Sequence, residues 1–514
     1  MYIVAIVYND ESSQQKESSV DGTVHARTSW RESGLSAATD AVVHGAEDRI
    51  RSLRVRRLAA VTNQEQPPTE IARPGAAGPR QTNRISELLG ANRRFRLLWA
   101  SNLFYFAGVW MQTLVLGWLV FDITNSATLL ALFAAIRLSP MFLGPLSGVL
   151  ADRLDRARFM LATVVWATAA VTVVAILAST GRIGYWGIVG GGFAIGLAQS
   201  PAQPARYALV LDLVGRENIS TANALNSMAL NMTQVVGPAI GGALISALGA
   251  PTALWVSALC YPASFLALWP IRNAGRVDRS VAHTTVRRQL AESLELVRRN
   301  RLVAAVLLVT FAANIFLWPV YQAFMPVFAK DILRLGPSGL GLLLTCAGSG
   351  GLVGSVVIAL MGDFKHKGGI FVFGTAAWAV LWSLFALSRS VPLSFGLITC
   401  VGLASAPFGV LQGTLLLMLT PGPLRGRVMG LQELAIGVQP LATFAHGVVA
   451  GAIGVGTSTV ASGVLLACCM LVLALRVPRL ITYSGTDPTH RSDSTAGRSI
   501  SVSDIPGQPE PCEQ

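Results

Sequence analysis

Gly148-Val-Leu-Ala-Asp-Arg-Leu-Asp-Arg-Ala-Arg158 stands between the second and third of twelve long apolar stretches that run from Leu97 to Leu475. Its three arginines and two aspartates lie tight against a membrane face, where polar contacts can be made and broken in reach of water. Asp152 ends the second stretch, and Gly148, one turn earlier, lets a neighbouring helix come close. A carboxylate at a helix border can meet the N-terminus of another helix or a loop arginine. Such a contact can hold one face closed and break when the protein rocks. The plainer alternative is a charged loop that anchors helix ends.

The chain has 514 residues, 52% of them hydrophobic and only 13% charged, which leaves too little polar surface for a soluble protein. A helical crossing takes about 20 apolar residues, because lipid cannot satisfy backbone polar groups. The stretches predict spans over 97–121, 127–150, 159–180, 184–206, 220–247, 252–271, 302–328, 338–361, 369–388, 392–418, 428–450 and 457–475. Their length and the absence of strict alternation exclude a β-barrel. The fold class expected is an all-α membrane protein with twelve transmembrane helices.

A net charge of +13 raises the question of nucleic acid, but the distribution of the charge argues against it. With Arg93, Arg94 and Arg96 placed inside, the inside connections hold 22 basic residues, Arg206 counted among them, against four outside: Arg182, Lys330, Arg334 and Arg389. That asymmetry puts both termini and the central loop in the cytoplasm of a multi-pass inner- or plasma-membrane protein. The spacing of the six cysteines fits neither a disulfide framework nor a metal site, so they read as buried apolar thiols.

Residues 1–90 are rich in Ser, Thr, Gln, Arg and Pro and read as a disordered cytoplasmic extension. The opening MYIVAIV is too short for a signal-peptide core, and a mis-assigned start is an alternative. Two six-helix halves, 91–272 and 302–478, flank a central cytoplasmic loop, 273–301, whose stretch Gln289–Arg299 has helical periodicity. Residues 479–514 read as a disordered tail. A short repeat supports the division: Gly196-Leu-Ala-Gln-Ser-Pro201 matches Gly402-Leu-Ala-Ser-Ala-Pro407, each in the fourth helix of its half.

On these residues the chain resembles the major facilitator superfamily, whose members carry G-x-L-A-D-R-x-G-R-[RK] between helices 2 and 3. Gly148, Leu150, Ala151, Asp152, Arg153 and Arg156 match; Asp155 replaces the second glycine and Ala157 a basic residue. The D-R-x-D-R variant resembles the subgroup of the enterobactin exporter and related multidrug and siderophore efflux proteins. Arg94-Phe-Arg-Leu-Leu-Trp99, Leu116-Gly-Trp-Leu-Val-Phe-Asp-Ile-Thr-Asn-Ser126, Gln322-Ala-Phe-Met-Pro-Val-Phe-Ala-Lys330 and Arg425-Gly-Arg-Val428 are similar to it too. In the second half the matching loop keeps only Gly362, Asp363, Lys365 and Lys367.

Span 5 carries Val236-Gly-Pro-Ala-Ile-Gly-Gly-Ala243. Gly237 and Gly241 share one smooth helix strip, Gly242 follows, and Pro238 removes a backbone donor. The element resembles the antiporter motif of the superfamily, although Ala224 and Thr233 stand where that motif has glycines. Close helix packing would need the same residues.

Polar residues inside spans are costly and so informative. Arg137, near the middle of span 2, would bind an anionic group, pair with a carboxylate, or reach an interface. Glu433 is the clearest intramembrane carboxylate for proton coupling; pairing with a loop arginine is the bland alternative. Asn102, Asn226, Gln234 and Asn314 lie in spans that line the cavity by resemblance, or join helices to one another. No phosphate-cradling G-x-x-x-x-G-K-[ST], no H-E-x-x-H and no G-x-S-x-G occurs, so neither direct ATP drive, nor an enzyme, nor a resident cofactor or metal is expected.

The reading is therefore a secondary active efflux transporter, monomeric in its bilayer. It would export amphiphilic small molecules, drugs or a siderophore-like compound, by proton antiport. A symporter importing a nutrient or lipid, and a non-transporting sensor of the same fold, are the alternatives.

Overall fold

A computed structural model describes residues 92–143, 155–215, 219–274, 300–361, 364–420 and 424–484, with Gly90, Glu295, Val297 and Arg298 besides. All fall within one unit, Pro79–Gln514. The elements are α1 (Arg93–Thr124), α2 (Ala127–Leu138), α3 (Arg156–Ser179), α4 (Tyr185–Val214), α5 (Ile219–Leu248) and α6 (Ala250–Leu268). After Asn300 come α7 (Arg301–Phe316), α8 (Pro337–Met361), α9 (Lys367–Leu387) and α10 (Val391–Leu419). Then follow α11 (Arg425–Gly437, resumed as Gln439–Ile453), α12 (Val455–Arg476) and a final turn, α13 (Pro478–Ile481).

Local chemistry sets the helix starts. Asn92 accepts from the Phe95 N–H, Ser126 from Leu129, Asp155 from Ala157 and Arg158, and Asn300 from Leu302 and Val303. These side chains satisfy donors that the first helical turn leaves free. Gly249, at φ +86°, is the single residue that turns α5 into α6, and Gly454, at φ +85°, does the same between α11 and α12. Only glycine takes that backbone cheaply.

Ten helices among the described residues are long and apolar enough to cross a membrane. α4, of 30 residues, and the shorter α2 accompany them. α2 tightens into a 3-10 turn, Ser139–Leu143, where Pro140 stands. The seventh span continues beyond α7 as far as Ile332, through π turns at Val320–Phe324 and Phe328–Ile332.

Large side chains such as Leu259, Leu266, Leu360 and Leu475 are exposed, which suits faces turned to lipid. The cysteine reading is corrected on the same ground. Cys400, Cys468 and Cys469 are exposed and Cys260 and Cys346 half-buried, because acyl chains receive an apolar thiol as readily as a core does.

The short sequence repeat has a structural counterpart. A Cβ at Gly196 of α4 would overlap the Arg137 carbonyl of α2, and one at Gly402 of α10 would overlap the Ala347 carbonyl of α8. The packed chain also runs further than the sequence placed it. The Gly368 N–H donates to the Tyr483 carbonyl at 3.3 Å, and Gly368 and Gly369 leave room for the backbone of Leu480 and Ile481. Residues 479–484 therefore belong to the fold. Residues 1–89 and 485–514, most of the central loop, and Gly362 and Asp363 lie outside the described residues.

Candidate functional site

The helices before Ala274 meet those after Asn300 mainly at the end opposite the basic connections. A Cβ at Gly242 of α5 would stand 2.9 Å from the Gly341 Cα of α8 and 2.7 Å from the Pro337 carbonyl oxygen. One at Gly341 would stand 2.6 Å from the Pro238 carbonyl oxygen. The Ser338 N–H donates to Ser246 Oγ at 3.0 Å, and Thr345 Oγ1 reaches the Val235 carbonyl at 3.1 Å. α2 and α11 repeat the arrangement: Gly447 and Gly451 pack on Ala131 and Thr128, whose hydroxyl donates to the Gly447 carbonyl at 3.0 Å.

A third contact joins the two stretches flagged by resemblance at the ends of spans 1 and 7. Lys330 Nζ lies 2.8 Å from Asp122 and 3.1 Å from the Asn125 carbonyl oxygen of the side chain. These hydrogen bonds between the two sets, with that of Gln234 to Tyr321, belong to this end or to the middle of the spans. At the basic end, Phe95, Leu98, Met160, Leu209 and Leu225 form a separate apolar cluster within the first set.

Within α5, Gly237 and Gly241 face α1 instead of α8. A Cβ at Gly237 would come 2.9 Å from Trp110 Cβ, and one at Gly241 3.1 Å from Met111 Cγ. The glycine strip thus serves two neighbours, and Pro238 stays inside a continuous helix.

Gly148, Asp152 and Arg153 of the loop lie outside the described residues. Asp155 caps α3, the role its side chain performs where the family pattern has glycine. Arg156 Nη1 donates to both oxygens of Asp212, near the end of α4, at 2.9 Å each, and both side chains are largely shielded. Asp212 was not anticipated from the sequence. Charge-assisted hydrogen bonds of this kind contribute about 1.5–3 kcal/mol. Arg156→Gln and Asp212→Asn are each expected to lower the melting temperature in detergent, and the exchanged pair Arg156→Asp with Asp212→Arg to restore much of it. An exchange no better than the single changes would count against the pairing.

Deeper in, Asn102 and Asn226 come together: the Asn102 amide donates to Asn226 Oδ1 at 2.7 Å. The surprise is their third partner. Arg206, counted from the sequence among loop arginines, is 1% exposed inside α4, and its Nη1 donates to Asn102 Oδ1. Its guanidinium lies 3.9 Å from the Tyr105 ring centroid and 5.5 Å from that of Phe106. Its Nε and Nη2 have no hydrogen-bond partner among the described residues.

The other candidates disperse. Gln234 donates to the Tyr321 hydroxyl at 3.4 Å, bridging α5 to the seventh span. Asn314 donates to the Thr310 carbonyl and accepts from Gln439 at 2.7 Å, tying α7 to α11. Arg137 Nη2 donates to Thr113 Oγ1 at 2.6 Å, a neutral partner in place of the carboxylate considered from sequence. Glu433, in the first part of α11, is exposed, and no ion pair to it occurs among the described residues.

A family model described as transmembrane secretion effector matches residues 90–492. The multidrug efflux pump Tap of Mycolicibacterium fortuitum is 26% identical over 386 residues, 73% of this chain and 93% of that protein. The staphyloferrin A transporter of Staphylococcus aureus is 21% identical over 387 residues, covering 73% and 94% of the two chains. Among solved structures, a bacterial homologue of the human lysosomal transporter Spinster, inward-facing and unoccupied, superposes with a TM-score of 0.60 at 13% identity over 77% of this chain and 99% of that one. The nucleoside transporter NupG does so at 0.56 and 14%, over 76% and 99%. The fold is that of membrane transporters.

Proposed function

The chain belongs to the transmembrane secretion effector family of the major facilitator superfamily, and from that premise we propose that it exports amphiphilic small molecules by exchange for protons. Transport is secondary and active, with cargo moved and not transformed. Twelve spans form two six-helix halves, α1–α6 and α7–α12, with both termini and the central loop 273–301 in the cytoplasm. The described residues then fit a state closed to the outside. The carrying observation is the doubled closure, α5 on α8 and α2 on α11, each made of glycines and hydroxyls towards the end opposite the basic connections. Two halves that separate and rejoin at such surfaces provide alternating access.

The gating role belongs to the loop Gly148, Asp152, Arg153, Asp155 and Arg156, with Asp212 holding Arg156 in the present state. Gly237, Pro238, Gly241 and Gly242 set how closely α5 approaches its neighbours. Relatives that carry the words multidrug efflux and staphyloferrin A support drug-like and siderophore-like cargo alike. Glu433 takes the coupling role, since it is a carboxylate at membrane depth with no cation paired to it among the described residues.

The test is dye efflux from proteoliposomes under an imposed proton gradient. Gradient-dependent movement of ethidium or a comparable amphiphile is expected; none across a broad panel sinks the reading. Glu433→Gln is expected to leave folding intact and abolish the dependence on the gradient. An unchanged dependence removes Glu433 from the coupling route.

A further inference from the structure

We propose that Arg137 forms the receptor for a carboxylate on the cargo, in a cleft between the two helix sets. The proposal rests on the export reading only in calling the ligand cargo. Arg137 stands at the end of α2, just before the 3-10 turn Ser139–Leu143. Gly196 lets α4 pack directly against its carbonyl, and Ser200 Oγ donates to the Pro140 carbonyl at 2.8 Å, so the backbone under the guanidinium is braced from behind. The cleft has room for about one water-sized group in this state and is lined by Thr113, Gly117, Phe133, Ala134, Arg137 and, from the seventh span, Gln322.

Among the described residues no carboxylate pairs with that charge. Thr113 accepts one Arg137 N–H and gives its own proton to the Val109 carbonyl at 2.6 Å, so it offers a dipole and no negative charge. Arg137 Nε is buried without a partner among the described residues. Of the described carboxylates in or beside the spans, Asp212 holds Arg156, Asp122 holds Lys330, and Glu433 makes no ion pair to Arg137. A guanidinium at membrane depth is expensive, and its fork of donors matches the two oxygens of a carboxylate. Gln322 adds an amide on a π turn, a helix irregularity common at functional sites, and no hydrogen bond to that amide occurs among the described residues. Phe133 and Ala134, both buried, close the cleft on one side, so the body of the molecule is taken in only as the two sets part. Because Gln322 and Arg137 sit on opposite sets, rocking would pull the site apart and free the ligand.

The experiment measures binding of dansyl-aminoundecanoate, its methyl ester and the matching primary amine to the purified full-length protein in detergent. The acid is expected to bind about tenfold more tightly than the ester, the scale of one charge-assisted contact, and the amine more weakly than either. Arg137→Gln should bring acid and ester to equal affinity while leaving the ester unchanged. Arg137→Lys, which keeps charge and loses the fork, should retain part of the preference and guards against a folding failure of the glutamine variant. Equal binding of acid and ester by the unmodified protein overturns the proposal, as does a loss that is equal for both ligands in Arg137→Gln. Transport of the three probes in liposomes is read separately. If none moves, the export reading fails while a charge preference erased by Arg137→Gln still stands.

Discussion

A Gly242→Leu protein is expected to fold, insert and transport at about a tenth of the normal rate or less. The reason is geometric. Real Cβ atoms essentially never approach a neighbour within 3.0 Å, and a Cβ at Gly242 would meet the Pro337 carbonyl at 2.7 Å and the Gly341 Cα at 2.9 Å. Both obstacles are backbone of α8, which cannot swing aside as a side chain can. Forcing bulk into a closed packing costs about 1–3 kcal/mol, and each 1.4 kcal/mol is about a tenfold change in an equilibrium. In a protein whose two access states differ by a few kcal/mol, that is enough to empty the state closed at this end. On the proposed exchange of access the cost falls on one conformation only, the one in which the two helices are packed.

Cysteines placed at Ser246 and Ser338, whose side chain and backbone N–H lie 3.0 Å apart, report on it directly. Cross-linking there should be efficient in the parent and fall sharply with Gly242→Leu. Gly409→Ala, where an added Cβ meets nothing within 4 Å, is the control that should change neither. Normal transport by Gly242→Leu would show that α5 and α8 need not close in the cycle.

The span pattern was legible because lipid imposes a length on every crossing, and apolar runs of that length leave little freedom. Helix ends were less so. The sequence reading ends the fourth span at Arg206, and the mostly apolar run Tyr207–Val214 beyond it is the signal that the helix continues. That one boundary moved a buried cation into a loop. Asn102 and Asn226 were legible as polar residues in spans, but their common purpose was not, since the residue they serve had been placed outside. Asp212 escaped for the same reason: it stands one helical turn from an end that sequence put elsewhere. The glycines of α5 read from sequence as one packing strip, and only coordinates separate Gly237 and Gly241, which face α1, from Gly242, which faces α8.

Asn102→Leu is expected to destabilise the protein, and the way stability returns separates structure from function. The change removes the acceptor of Arg206 Nη1 and leaves a buried guanidinium held by the Tyr105 and Phe106 rings alone. An orphaned buried polar group costs about 1–3 kcal/mol, and a charged one more. Adding Arg206→Met should recover the part of that loss owed to the orphaned cation, because removing both partners of a buried charged contact is often neutral or better, while Asn226 still lacks its donor. Transport should not return with it. A cation inside a span is dearer than the methionine that could replace it, so packing alone gives no reason for Arg206. Thermal unfolding in detergent and efflux from liposomes, measured on the single and double variants, decide the matter. Recovery of both would reduce the cluster to a packing element; recovery of stability alone assigns Arg206 a part in the transport cycle.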